Sequence, residues 1–527
     1  LSSQRLRAAR LHANAGRIPE ALAEARAAVE ADPDNLEALS IWGTAAAELG
    51  RFAEAAGPLT RAADNVRAGS VGWANLNSQL ARSLSNIGFW SAAAQRAEAV
   101  AQLDPPDPLV RQRIGAALAR VGLIDRGLPH LQWAVRALPD WAEAQLEFGV
   151  ACLSLGRLEA AEAALERAIA LAPSWVQPHL GLAAMRRWTG QDAHVERLQA
   201  LRDDPAVDRF DRAAAGFALA KELSDLGRHE DAWPVLEESN RSLRERDGPW
   251  SAEQDRALVD ALIETFPVAR FSPGPAAPAR GRTPIFVVGL PRSGTTLAER
   301  ILASHSQVAS LGEAPTFPLQ FRAASAAADR RTLTAAVVRG AAQADWTSVG
   351  DHYRFETAFL GGDARFVVDK LPANSLVVGA IRLAFPDARI VHLRRDPMDT
   401  LYSCYRVQFA GLYGWSYDLE DMAEHYANHR RLMRHWREAL GEGLIEVSYE
   451  DLTRDPEAAI RRLLDACGLP FEAACLTPHQ SQGAVRTASI VQVRRPISDA
   501  SVGGWRRHAR QLEPLRARLE ALGALGA

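Results

Sequence analysis

The stretch IFVVGLPRSGTT, Ile285 to Thr296, decides what the rest of the chain can be. Its apolar run, Ile285 to Val288, is short, continuous and mostly β-branched, which suits a strand buried on both faces. Gly289 and Gly294 then bracket a tight turn, and Thr295 opens an amphipathic helical pattern running to about His305. A strand, a glycine-bracketed loop and a helix N-terminus form an anion cradle, because backbone N–H groups and the helix dipole converge there. The spacing is that of G-x-x-x-x-G-K-[ST], yet Thr295 stands where the lysine would be. A loop for a nucleoside triphosphate needs that lysine on the β/γ-phosphates and a divalent metal held by a carboxylate. Asp369 could pass for that carboxylate, but Lys370 beside it suits an anion better. The expectation is a dianionic ester with fewer charges than ATP. It would be held without metal by Arg292, Ser293, Gly294, Thr295 and Thr296.

Beyond the loop, strand-like runs alternate with helical ones. RFVVDK from Arg365 precedes SLVVGAIRLAF, and RIVHLRR from Arg389 precedes DTLYSCYRVQF. LIEVSYEDL from Leu444 precedes a helix over 456–467. This alternation predicts a parallel sheet covered on both faces, with ligands beyond the carboxyl ends of its strands. GLPRSGTT, DKLP and LRRD would all lie there.

Upstream, SPGPAAPARGRTP (Ser272 to Pro284) favours an extended linker, and a capping helix is expected at about 252–266. Before it the chain repeats. Gly16, Gly50, Gly88, Gly122, Gly156, Gly190 and Gly227 are spaced 34, 38, 34, 34, 34 and 37 residues apart. Each unit reads as two amphipathic helices. A glycine makes the turn between them, and small residues such as Ala21, Ala55 and Ala160 allow close packing. Pro33, Pro139 and Pro173 stop the second helix. The pattern resembles the tetratricopeptide repeat. The expected fold class is therefore α + α/β: a solenoid over 1–240, a cap and linker over 241–283, and an α/β domain over 284–527. Stacked repeats suit an extended peptide or partner protein in a concave groove. They suit equally a scaffold, or a dimerisation arm that makes a homodimer.

The 527 residues carry a formal net charge of −3, which argues against nucleic-acid binding through overall positive charge. Lys221 and Lys370 are the only lysines; with abundant arginine and alanine this reads as a GC-rich, bacterial composition. Cys152, Cys404, Cys467 and Cys475 are too scattered for a disulfide framework or a C-x-x-C zinc site. No apolar run reaches the ~20 residues that would cross a membrane. A cytoplasmic protein is the default expectation.

A second phosphate motif lies in HLRRDPMDTLYSCYR, from His392. Arg395 and Ser403 are eight apart, at a strand end and about two turns into the next helix, where a guanidinium and a hydroxyl can converge on one phosphate. Alone, this would be a surface arginine and a helix serine. Together with PRSGTT it resembles the sulfotransferase family over roughly 284–510. In that family the first loop holds the 5′-phosphosulfate of 3′-phosphoadenosine 5′-phosphosulfate (PAPS), and the second pair holds its 3′-phosphate. The resemblance extends to Tyr449 in SYEDL, near the nucleotide. It also covers QVRRPISDASVGGWRRH from Gln492, a loop that closes over the nucleotide with Arg506 or Arg507 as its basic residue.

Sulfuryl transfer to a hydroxyl needs a base, in-line positioning and positive charge on the transferring group. The resemblance implies Lys370 for the charge, since tyrosylprotein sulfotransferases carry lysine where small-molecule sulfotransferases carry histidine. It implies Glu313, 21 residues after Arg292, as the base, with Arg292 completing the catalytic set. His305 is the rival base, although a histidine ending a helix more often answers its dipole. His352 and His392 qualify by chemistry alone. The aromatic stretch from Gly411 to Trp436 is expected to wall the acceptor site.

The chain is thus expected to be a PAPS-dependent O-sulfotransferase, closest in motif style to tyrosylprotein sulfotransferases, with its repeats recruiting a peptide or protein acceptor. The tyrosylprotein enzymes carry arginines shortly after the glutamate, whereas APTFPLQ has none before Arg322. A glycan or small-metabolite acceptor is the alternative within this class. A repeat scaffold whose α/β domain binds nucleotide without turnover is the alternative outside it.

Overall fold

The computed structural model describes residues 2–185, 187–189, 193–271, 281–329, 332–409, 411–481, 483–484 and 492–525. Residues 272–280 of the expected linker and Gly190 of the glycine series lie outside them. The chain divides into two compact units. The first is Leu1–Cys152 with Phe355–Leu360, the second Leu153–Arg354 with Gly361–Ala527.

The first unit is a stack of helix pairs: Ser2–Asn14 with Ile18–Ala31, Leu36–Glu48 with Phe52–Asp64, Val71–Asn86 with Trp90–Ala101, and Pro108–Arg120 with Ile124–Ala137. The turns fall on the glycines that mark the period. Gly16, Gly50, Gly88 and Gly122 have φ of 69°, 71°, 89° and 92°, where a side chain would be strained. Five residues after the first two of these, Ala21 and Ala55 are fully buried. Ala160 does not share that role: it is exposed, and Ala161, five after Gly156, is the buried residue.

In the second unit the pairs continue to His229–Asp247, followed by Ala252–Thr265, close to the expected cap. Trp233, Leu236 and Leu243 share one core with Leu401, Tyr402 and Tyr405 of the helix Pro397–Tyr405, and with Leu512 and Leu515. Asn240 donates from Nδ2 to the carbonyl of Tyr405 at 3.0 Å, and Arg244 pairs with Asp418 at 2.6 Å.

The α/β part is a five-stranded sheet: β1 Thr283–Gly289, β2 Val308–Gly312, β3 Phe366–Lys370, β4 Arg389–Arg394 and β5 Leu444–Ser448. The order is β2-β3-β1-β4-β5, and every ladder is parallel. Four strands were expected from their apolar runs. The fifth, β2, reads VASLG, and only Val308 and Leu311 need burial because it lies at the sheet edge.

Alternation along the strands sorts the residues by face. Ile285, Val287 and Val368 share a cluster with Ala298, Ile301 and Leu302 of the helix Thr295–Ala303. Phe286 points the other way, its ring 5.6 Å from that of Tyr353 and 5.7 Å from that of Phe317. The chain leaves central β1 for one edge and later returns to its other side. That reversal opens a crevice above the carboxyl end of β1.

Candidate active site

Each strand delivers one candidate group at its carboxyl end. In spatial order these are Glu313 after β2, Lys370 ending β3, the loop 289–296 after β1, Arg395 after β4 and Tyr449 after β5. Val287 pairs with Lys370, and Gly289 with Leu393 two residues before Arg395. Adjacent strands are about 4.8 Å apart, so Lys370 and Arg395 flank the loop from its two sides.

The loop has the conformation its glycines imply. Gly289 has φ 149°, and Gly294, which precedes the first residue of the helix Thr295–Ala303, has φ 101°. A methyl group on Gly294 would also collide with the ring of Tyr449. Between them Arg292 holds φ 66°, a left-handed conformation that costs a non-glycine residue roughly 1–2 kcal/mol. Its guanidinium reaches the helix after β4 and the C-terminal loop: Nε donates to the Ser403 hydroxyl at 3.1 Å, and Nη2 to Oε1 of Gln492 at 2.9 Å. Burial, then the nearby Arg395 and Arg406, pulls the Arg292 guanidinium down to about 10, and an anion would reverse that. Thr295 and Thr296 are buried at the helix start. The Ser293 hydroxyl donates to the Leu290 carbonyl at 2.7 Å and so closes the turn.

Arg395 is the hub of the second motif. It donates to the carbonyl of Arg292 at 2.9 Å and to that of Ser501 at 2.8 Å, and its guanidinium lies 4.5 Å from the centre of the Tyr449 ring. Its Nε is buried and makes no hydrogen bond among the described residues, a donor awaiting an acceptor. Tyr449 opens a short helix, Tyr449–Arg454, directly after β5, and its hydroxyl is 2.6 Å from that of Ser501. Asp399 carries no motif that marks its role. Buried on the helix Pro397–Tyr405, it accepts from the amides of Gly503 at 2.6 Å and Trp505 at 3.2 Å. Asp399 precedes Ser403 by four, so one helical face both presents the hydroxyl and pins the C-terminal loop. On that loop the Arg506 guanidinium lies 5.4 Å from the Trp505 ring, and the charge of Arg507 is felt by Tyr402, His229 and His508.

On the other side of the loop, Lys370 is fully buried and its Nζ is bonded to Oε1 of Glu313. A second carboxylate, Glu299 on the helix Thr295–Ala303, lies 3.7 Å from the same Nζ. It too went unread in the sequence, where a glutamate in TLAERIL looks like a solvent-facing helix residue. Burial pushes the Glu299 carboxyl up, and Lys370 opposes that shift. Asp369, one residue along β3, points to the opposite face. It accepts from the Tyr353 hydroxyl at 2.8 Å, and burial raises it to about 7. Its hydrogen bond to Tyr353 turns the carboxylate to the face opposite Lys370.

The three histidines stand apart from this crevice. His305 is buried, with Nε2 bonded to the Pro470 carbonyl at 2.9 Å beyond the far end of its helix. His352 is exposed and bonded to the Ser348 carbonyl. His392 lies inside β4, 3.4 Å from Glu446. In the expected acceptor wall, Trp415, Tyr417 and Trp436 are core residues. Tyr413 feels the site's charge: burial and then Glu313 raise its phenol, and its ring packs 5.0 Å from Phe409 and 5.9 Å from Trp415.

Among known proteins, residues 284–473 match the sulfotransferase family, and residues 6–70 and 113–174 match the tetratricopeptide repeat. An Aquifex aeolicus (strain VF5) protein, described as uncharacterized, is 34% identical over 371 residues, 69% of this chain and 48% of that protein. The chain thus spans about half the length of that relative. A Caenorhabditis briggsae protein described as "Putative protein-tyrosine sulfotransferase" is 27% identical over 232 residues, 42% of this chain and 80% of that protein. The sulfotransferase domain of the Synechococcus PCC 7002 olefin synthase is similar in structure at 20% identity. That likeness covers 47% of this chain and 98% of that domain, with a TM-score of 0.32. The chain carries a C-terminal sulfotransferase domain preceded by tetratricopeptide repeats. Among the described residues no helix is long and apolar enough to cross a membrane.

Proposed function

We propose that this protein is a PAPS-dependent O-sulfotransferase acting on a hydroxyl of a peptide or protein recruited by its repeats. The observation that carries the reading is Lys370 bonded to Glu313 beside a phosphate loop whose arginine already reaches Ser403. The donor set suits the nucleotide: Arg292, Arg395, Thr295, Thr296, Ser403 and the first-turn amides all donate. The nearby carboxylate of Asp399 is committed to two backbone amides. PAPS would supply a sulfuryl group on a 5′-phosphate that can leave with an electron pair.

In this reading the helix dipole and Arg292 hold the 5′ end, while Arg395 and Ser403 hold the 3′-phosphate. Glu313, at the crevice mouth, accepts the acceptor's hydroxyl proton. Lys370 places its charge where the old S–O bond breaks and the new one forms, the role that preorganised charge fills in such sites. Tyr449, Arg506 and Arg507 would close the nucleotide in. We assign the sulfotransferase unit to 284–527 and the repeats to 1–240, with 241–283 between them, and place the protein in the cytoplasm.

A tyrosine acceptor fits the aromatic pair of Phe409 and Tyr413, the latter under the charge of Glu313, and matches the description of the Caenorhabditis relative. The absence of arginine from APTFPLQ favours a second reading, an uncharged acceptor such as a glycan or small metabolite. Calorimetry tests the donor: adenosine 3′,5′-bisphosphate should bind tightly without magnesium and ADP weakly. Equal or tighter ADP binding overturns the assignment. Mass spectrometry of lysate incubated with isotopically labelled PAPS would then identify the acceptor.

A further inference from the structure

Lys370 lies between two carboxylates that are unlike in kind. Glu313 follows the edge strand and its side chain is 38% exposed, so it can rotate away. Glu299 is 8% exposed, 3.7 Å from Nζ, on a helix packed against the sheet. Its Oε1 accepts from the Ser310 hydroxyl at 2.6 Å, and that hydroxyl also accepts from the Gly312 amide at 3.0 Å. Glu299 is therefore fastened at both its backbone and its carboxylate. It follows Thr295 by four residues, one turn along the face that rises from the phosphate loop. The charged groups acting on it are Lys370, Glu313 and Arg300, and it acts in turn on Asp369 through the sheet.

A base that takes a proton loses its negative charge. When Glu313 does so it stops balancing Lys370, and a buried ammonium left without a partner is costly. The lysine side chain is also long and rotamer-rich, so its aim depends on a fixed tether. We propose that Glu299 is a positioning residue, the permanent counter-ion that keeps Lys370 charged and aimed at the phosphate loop while Glu313 exchanges the lysine for the acceptor's proton. The task given to Lys370 rests on the sulfuryl-transfer reading; the pairing with Glu299 does not.

With only two lysines in the chain, the pairing can be read directly. Full-length protein labelled with 13C at the lysine ε-carbon gives two signals, which Lys221→Arg assigns. In Glu299→Gln the pH midpoint of the Lys370 signal should fall by at least one unit, because a neighbouring negative charge has gone, and Lys221 should not move. Glu299→Asp should recover at least half of the change. The dissociation constant for adenosine 3′,5′-bisphosphate should stay within threefold, while kcat for labelled sulfuryl transfer falls at least tenfold at constant donor KM. An unchanged Lys370 midpoint in Glu299→Gln overturns the proposal. Should that variant unfold, which a collapsed Lys221 signal would reveal, Ser310→Ala carries the test: its midpoint should fall by at least half a unit, and no movement overturns the pairing. If the wild type fails to bind the bisphosphate while the Lys370 midpoint still moves, the pairing stands and the donor assignment falls.

Discussion

Arg292 donates from Nε to the hydroxyl of Ser403, 3.1 Å away and 111 positions later in the chain. The bond joins the loop after β1 to the helix after β4, and so ties two phosphate-binding motifs into one surface. Removing the Ser403 hydroxyl should be felt mainly by a ligand that carries a 3′-phosphate. Ser403→Ala should weaken adenosine 3′,5′-bisphosphate about tenfold, corresponding to roughly 1.4 kcal/mol, and leave ADP unchanged in calorimetry. Equal losses for both nucleotides would move the 3′-phosphate elsewhere.

Glu313→Gln keeps the shape of the base and removes its proton affinity. Incorporation of labelled sulfuryl into lysate protein should fall by a factor of about 10²–10⁴, with bisphosphate affinity within threefold of wild type. Retained incorporation would exclude Glu313 as the base.

Gly294 is required twice, by its φ of 101° and by the ring of Tyr449. Gly294→Ala should therefore lower the thermal midpoint, with a cost of roughly 1–3 kcal/mol, and abolish measurable bisphosphate binding. A variant that binds normally would show that the loop tolerates another conformation.

Asp369 gives a pH test. Its carboxyl is raised from the ordinary 3.8 to about 7, first by burial. The folded state thus holds a proton that the unfolded state releases, and this contribution is complete below about pH 4 and is lost as pH rises to about 7. Over about three units the loss is at most roughly 4 kcal/mol. Asp369→Asn needs no such proton, and Asn374, whose Oδ1 is buried without a partner among the described residues, can turn to accept from the new amide. The thermal midpoint of the variant relative to wild type should climb between pH 4 and 7 and then level off. A difference independent of pH would mean that Asp369 is ionised in the folded protein throughout.

How much of this could be read in advance depended on where each signal lay along the chain. The repeat was plain because its glycines need a left-handed backbone at fixed intervals, and their φ values show that need. Edge strand β5 announced itself through Leu444, Ile445 and Val447, and the three inner strands because a strand buried on both faces must be largely apolar. The edge strand β2 need not be, and it was missed. Lys370 and Glu313 were found through motif register, and the structure bonds them to each other. Glu299 and Asp399 were not found, since an acidic residue in an amphipathic helix looks alike whether it meets water, a buried lysine or a pair of loop amides. Only the packing of distant segments separates those cases.

Trp233 tests how far the repeats can be treated as an appendage. It is nearly buried, and its ring stacks on Tyr405 at 5.6 Å. Trp233→Ala should cost about 3–5 kcal/mol in denaturant unfolding. A chain starting at residue 271 should be insoluble, since it exposes the apolar side of the helix Pro397–Tyr405. A soluble, cooperatively folding fragment would contradict this.

That helix has two attachments. Ser403 meets Arg292 of the phosphate loop, and two residues on the Tyr405 carbonyl is held by Asn240 of the last repeat. Gene fusion and recombination can exchange repeats as cassettes only where a breakpoint leaves both neighbours whole. A crossover within 229–247 would pair one lineage's repeat with another's nucleotide grip, and the chimera would inherit a mismatched Asn240, Trp233 and Tyr405. For anyone grafting a new recruiting arm onto this transferase, the joint belongs well upstream of that helix pair.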